Sequence, residues 1–311
     1  MITTLQSSMF KVQGSRFKVS ADHHLSSPFF NPFNPLRRGA FTLLELLVVI
    51  AIVGLIAGIA MPVIGKFKPN FTASAISQLV TDIGRARQLA ISQHTTVYMV
   101  FVPTNFWADP AYNVLPATEK AKANQLLDKQ MIGYNYVSIR SLGDQPGRPT
   151  VRYLSEWKTL PEGAFIGLPK WRPNNQELDI FTNTPSLTSV LAFRVFGFNK
   201  TSWVPFPSAD AAPYKYNSIR QPYVTVPYIA FDYQGRVVAF DSMNRPVQAV
   251  NELIPLSKGS VSFSRDPVTK TARTALPSFT EQPVGSITNS YNLVYIDWLT
   301  GRARAIQQEV Q

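Results

Sequence analysis

The 311-residue chain is 45% hydrophobic and only 16% charged, enough apolar content for one or two domains with real cores. It contains no cysteine, which excludes a disulfide framework, a thiolate zinc site and a cysteine nucleophile. The formal net charge is +11, but no dense Lys/Arg run follows residue 40, so a solvated basic surface explains it better than a nucleic-acid interface does.

Residues 1–40 read as a leader. They carry Lys11, Arg16, Lys18, Arg37 and Arg38 against Asp22, together with the Asn/Pro/Phe-rich stretch PFFNPFNPL, and no fold is expected of them. Met9 is a second possible start. Residues 41–64 (FTLLELLVVIAIVGLIAGIAMPVI) hold one charge in 24 positions. As a helix this stretch reaches ~36 Å, enough to cross a hydrocarbon core of about 30 Å. Basic residues concentrated before it favour a cytoplasmic N-terminus.

Glu45 is the anomaly in that stretch. A carboxylate so early in an apolar helix costs a few kcal/mol on insertion scales, unless it snorkels to the interface or meets a counter-charge. If the chain were cut before Phe41, the new α-amine of one copy could neutralise Glu45 of a neighbour displaced along a filament, fixing axial register.

The string RRGAFTLLELLVVIAIVGLIAGIAMPVI resembles the N-terminus of type IV prepilins and type II secretion pseudopilins. Phe41, Thr42, Leu43, Glu45 and Leu46 match position by position, and Pro62 falls where pilin helices commonly bend. The resemblance implies that a prepilin peptidase removes the leader and methylates the new N-terminus, making Gly39, Ala40 and Phe41 the processing residues and Glu45 the assembly residue. Ala40 stands where the family nearly always has Gly. A cut after Gly39 would move Glu45 to the sixth position of the mature chain, so cleavage after Ala40 is the expectation. The competing reading is a secretory signal peptide cut before Met61, after the small residues Gly58 and Ala60. Its apolar region would exceed the usual 7–15 residues.

From Phe71 to Gln93, Ile76, Leu79, Val80, Ile83, Ala86 and Ala90 recur at helical spacing, with Gln78, Asp82 and Arg85 on the other face. Asn70 or Thr72 can cap this helix. Together the segments predict one long helix over 41–93, bent near Pro62 and Pro69, with 65–93 its periplasmic half. Gly84 weakens it slightly. Residues 94–311 then form a β-rich domain, giving an α+β, pilin-like fold.

Strands are expected at 95–102, 132–140, 150–154, 164–167, 190–198, 223–233, 236–240, 260–264, 292–298 and 302–306. An insertion lies around 103–131 with a helix over 118–131, and 203–222 is a long connection. Gln234-Gly235 and Leu299-Thr300-Gly301 mark hairpin turns. The phrases RARQLAI (with Arg87, Ala90 and Ile91), AFDYQGRV and YIDWLTGRAR are similar to H-type (FimT-like) minor pseudopilins, and the layout resembles the Verru_Chthon cassette protein D group.

No catalytic constellation emerges. His94 is the one histidine after the leader and sits in a polar turn, and GxSxG, GxxxxGK[ST] and HExxH are all absent. Trp157, Trp171, Trp203 and Trp298 are scattered, as packing residues are. The expectation is a filament subunit, not an enzyme, needing no cofactor or metal. It would be anchored in a bacterial inner membrane with a periplasmic domain, and its partners would be prepilin peptidase, other pilin subunits and membrane lipid. A minor subunit fits the bulky C-terminal part. The alternative is a membrane-tethered periplasmic binding protein or hydrolase.

Overall fold

The computed structural model describes residues 42–64 and 71–307, apart from 142, 146–148, 174–176, 182–191, 212–214, 217–218, 221–222 and 290–291. The chain divides into two units, Met1–Phe67 and Lys68–Gln311. In the first, α1 runs from Leu43 to Ile64 and includes Pro62. The second begins with α2, Phe71–Ser92. The expected link between them, residues 65–70, lies outside the described residues, and so does Asn70. Thr72 is not a cap: it lies inside α2 and is buried.

Along the second unit follow β1 (Val97–Phe101), α3 (Pro110–Asn113), α4 (Ala117–Asn124), β2 (Gly133–Ser138), β3 (Arg152–Tyr153), β4 (Lys158–Thr159) and β5 (Ala164–Ile166). Then come β6 (Glu177–Phe181), β7 (Ala192–Phe196), β8 (Asn199–Thr201), β9 (Lys215–Tyr216), β10 (Ile219–Arg220), β11 (Val226–Phe231), β12 (Val237–Phe240) and β13 (Pro246–Val247). The chain ends with β14 (Glu252–Ser262), β15 (Ser278–Glu281), α5 (Ser286–Asn289), β16 (Asn292–Ile296) and β17 (Ala303–Gln307).

Among the described residues the strands build an eight-stranded antiparallel sheet ordered β13-β12-β11-β1-β2-β3, with β4 on β2 and β8 on β11. A five-stranded antiparallel sheet is ordered β15-β14-β16-β17, with β5 on β14. The α2 stripe of Ala75, Ile76, Leu79, Ile83, Ala86 and Ala90 packs on both sheets at once. It shares one core with Val97, Met99 and Phe101 of β1 and with Ile254, Leu256, Val294 and Ile296 of the smaller sheet. The helical period read from the sequence therefore marks the buried face correctly.

The other face of the large sheet is covered by the insertion. Phe106, Tyr112, Leu126 and Leu127 pack with Phe206 onto Tyr98, Val100, Val137 and Tyr228. That is why every residue of β1 and β2 is buried and neither strand alternates. The helix expected over 118–131 is shorter: α4 ends at Asn124, and a 3-10 turn, Leu127–Lys129, leads into β2.

The long strand β14 was expected only from residue 260. Pro255 and Gly259 disfavour a continuous strand, but β14 spans them by changing partners, from β16 at Glu252–Pro255 to β5 at Leu256–Lys258 and β15 at Gly259–Ser262. The Pro255 carbonyl accepts from Gly167 N–H at 2.8 Å, so its missing donor points away from the β16 ladder and costs that pairing nothing.

Candidate functional site

Two places carry the sequence signals. The first is the start of α1. Gly39, Ala40 and Phe41 lie outside the described residues, but Glu45 and its setting do not. Leu43 is 82% exposed, Leu44 72% and Leu55 68%, and the described side chains of α1, residues 43–56, are all exposed. A bare apolar rod of this kind buries its surface only against lipid or other helices.

Glu45 does more than stand alone on that rod. Its Oε2 accepts from the Thr42 backbone N–H at 2.9 Å and from the Thr42 hydroxyl at 3.0 Å, while Thr42 Oγ1 accepts from Glu45 N–H at 3.2 Å. This is a capping box: the Thr-x-x-Glu spacing satisfies orphan donors of the first turn reciprocally. Position-by-position matching to pilins conceals this second role, although the spacing was visible in the sequence. Both Thr42 bonds fall on Oε2, which among the described residues leaves Oε1 as an acceptor for a further cation.

Residues 36–61 match the family model described as "Prokaryotic N-terminal methylation motif". The chain has a prepilin-type N-terminus. The match supports a pilin-like chain, and the motif implies processing by prepilin peptidase and assembly with other pilin subunits. Nothing matches in the comparisons with curated proteins and with solved structures. Among the described residues no helix is long and apolar enough to cross a membrane, the described side chains of α1 ending at residue 56.

The second place is the C-terminal part of α2, where the three phrases of the weaker resemblance converge. The Arg87 Nε–H donates to the Thr300 carbonyl at 2.7 Å. Gly235 and Gly301 have φ of +80° and +62°, the left-handed region that glycine adopts freely. A Cβ at Gly301 would lie 2.0 Å from the Gly235 carbonyl oxygen, and one at Gly235 would lie 2.8 Å from Ile91 Cδ1. The two hairpin turns thus touch each other and α2 through glycines that allow no side chain.

Aspartates shape these turns. Asp232 Oδ1 accepts from the backbone N–H groups of Gln234 and Arg236, and Oδ2 accepts from Arg236 Nε–H at 2.9 Å. Asp241 repeats the arrangement with Met243 and Arg245. Asp297 accepts from the N–H and hydroxyl of Thr300 at 2.7 and 2.8 Å. Backbone donors hold the Asp241 and Asp297 carboxyls below the ordinary aspartate range. These roles are structural: a short carboxylate side chain bonds the backbone of its own turn.

One polar residue of α2 departs from the helical pattern. The spacing puts Asp82 on the outer face of α2, but it is only 6% exposed. It pairs with Lys158 of β4 at 2.5 Å and accepts from the Tyr134 hydroxyl at 2.6 Å, and Gln78 Nε2 donates to that same hydroxyl at 2.8 Å. Burial pushes the Asp82 carboxyl up, but Lys158 and the Tyr134 hydroxyl outweigh it and hold the group below its ordinary value. The network ties the exposed edge of α2 to β2 and β4. No periodicity signals it, because the partners are 52 and 76 residues away.

His94 is an exposed turn residue with φ of +47°, directly after α2. An open groove of about 720 Å³ lies on the insertion side, lined in part by Lys122, Tyr153, Glu156, Trp157 and Ser208. Trp157 and Tyr153 donate from their polar tips to the carbonyls of Pro207 and Pro205.

Proposed function

We propose that this chain is a filament subunit of the type IV pilin-like class, working through assembly and not through catalysis. Prepilin peptidase cuts after Ala40 and methylates Phe41. Residues 41–64 then hold the chain in the bacterial inner membrane with residues 68–311 on the periplasmic side. The subunit leaves the bilayer by packing α1 among the helices of its neighbours, in a type II secretion pseudopilus or a type IV pilus-like filament. Its large second unit fits a minor position better than a repeating shaft.

The observation that carries the reading is a single acid on an otherwise apolar, exposed helix, inside a segment that matches the methylation motif. Thr42 holds the carboxylate at the helix start through Oε2, and Oε1 is the atom offered to the α-amine of an adjacent copy. Desolvated together, the two charges attract far more strongly than in water, and neither survives well alone.

Because Glu45 also caps the helix, the charge must be separated from the cap. Glu45→Gln keeps the capping acceptor and deletes the charge, whereas Glu45→Ala deletes both. In cells making the matching filament, both variants are expected in the membrane fraction with the leader removed, and neither in sheared filaments. Wild-type levels of Glu45→Gln in filaments would refute the charge pair and leave only the cap. N-terminal sequencing of the mature chain is expected to give N-methyl-Phe41. An intact leader would instead indicate a tethered periplasmic domain, and a start at Met61 one released by signal peptidase.

A further inference from the structure

Lys170 is 0% exposed, and neither the filament reading nor the turn architecture uses it. It sits at the 3-10 turn Leu168–Trp171, where its carbonyl accepts from Phe198 N–H at 2.9 Å, so the two segments run side by side. Its Nζ forms an ion pair with Glu252 Oε2, donates to the Phe196 carbonyl at 3.0 Å and lies 4.8 Å from the centre of the Phe198 ring. Aromatic rings close the surroundings: Phe198 stacks on Phe101 at 4.4 Å and meets Trp171 edge-on at 5.4 Å. The second oxygen of Glu252 faces a carboxamide, with Asn199 Nδ2 3.4 Å from Oε1. One buried carboxylate therefore bridges an amine and an amide.

We propose that this triad is a self-modification site, at which the Lys170 amine displaces ammonia from the Asn199 side chain to form an intramolecular amide cross-link. Glu252 takes a proton from the Lys170 ammonium, and the free amine attacks the Asn199 Cγ. A new N–C bond forms, Glu252 relays protons from the attacking nitrogen to the departing one, and the Cγ–Nδ2 bond breaks. The products are a secondary amide, ammonia and a protonated Glu252, with neither oxidant nor reductant consumed. The attack requires Lys170 Nζ and Asn199 Cγ to come within the ~3–3.5 Å of a near-attack geometry. The link would fasten residue 170 to residue 199 in a chain that has no cysteine for a disulfide.

The test is mass spectrometry of the full-length chain, purified in detergent, denatured and digested with trypsin. The expected product is a branched peptide joining the Lys170 and Asn199 segments, lighter by one ammonia than the two together, with no cleavage after Lys170. Glu252→Gln, nearly the same size, is expected to release the two segments unlinked. Recovery of unmodified Lys170 and Asn199 on separate peptides from the wild-type protein would overturn the proposal. So would a branch from Lys170 to Glu252 with loss of water, because the carboxylate would then be the acyl donor. The wild-type digest decides even if the variant fails to fold.

Discussion

Gly301→Ala tests the junction of the two hairpin turns with α2. The added methyl would start 2.0 Å from the Gly235 carbonyl oxygen, so the turn must retreat by about 1.3 Å to reach an ordinary C···O contact of ~3.3 Å. Two costs follow. Holding alanine at φ of +62° costs about 1–2 kcal/mol. A retreat of that size stretches the 2.7 Å bond from Arg87 Nε to the Thr300 carbonyl beyond hydrogen-bonding range. That charge-assisted bond is worth about 1.5–3 kcal/mol, and the lower end applies because Arg87 is only half-buried and can be rehydrated. The expected loss is about 3 kcal/mol, read as a lowered urea midpoint in tryptophan fluorescence of the full-length chain, with an unchanged slope. Gly143→Ala is the control: its φ is +88° but nothing lies within 4 Å of the new methyl, so it should lose only the backbone share. Equal losses for the two variants would refute the junction argument.

Asp82→Asn should cost about 1.5–3 kcal/mol at pH 7, because the buried carboxylate receives both Lys158 and Tyr134. Since the folded Asp82 carboxyl lies below its ordinary value of 3.8, its contribution is present above that pH and is lost as pH falls through the folded value. Urea midpoints of wild type and variant should therefore converge below about pH 4, and a constant gap down to pH 2 would count against the ion pair. Gly84→Ala, at an exposed site on α2 with nothing within 4 Å of the new methyl, should stabilise by about 0.5–1 kcal/mol in the same assay. A loss of stability there would mean that the site is not free in the folded chain.

Local signals made the elements of this protein legible and left their meeting places hidden. The α2 stripe from Ile76 to Ala90 is visible because core contact on one side of a helix imposes its 3.6-residue period on the sequence. Gln234-Gly235 and Thr300-Gly301 announce turns because left-handed backbone favours glycine. Asp82 was misplaced because periodicity sorts residues by polarity, and a carboxylate paired with Lys158 and Tyr134 is buried without becoming apolar. The first eight of the eleven residues of β14 escape the sequence pattern because Pro255 and Gly259 break a strand on average. Here each sits where β14 exchanges one neighbour for the next, so the ladder tolerates it.

The sequence by itself determined the prepilin-type N-terminus, since a basic leader, Phe41, Glu45 and an unbroken apolar run are chemical features that need no folded partner to be read. Tertiary structure alone decided what the remaining polar groups do. It brought Arg87 to Thr300 across 213 residues and Lys170 to Glu252 across 82, because the solvation, pairing and reactivity of a charge depend on the neighbours that folding supplies.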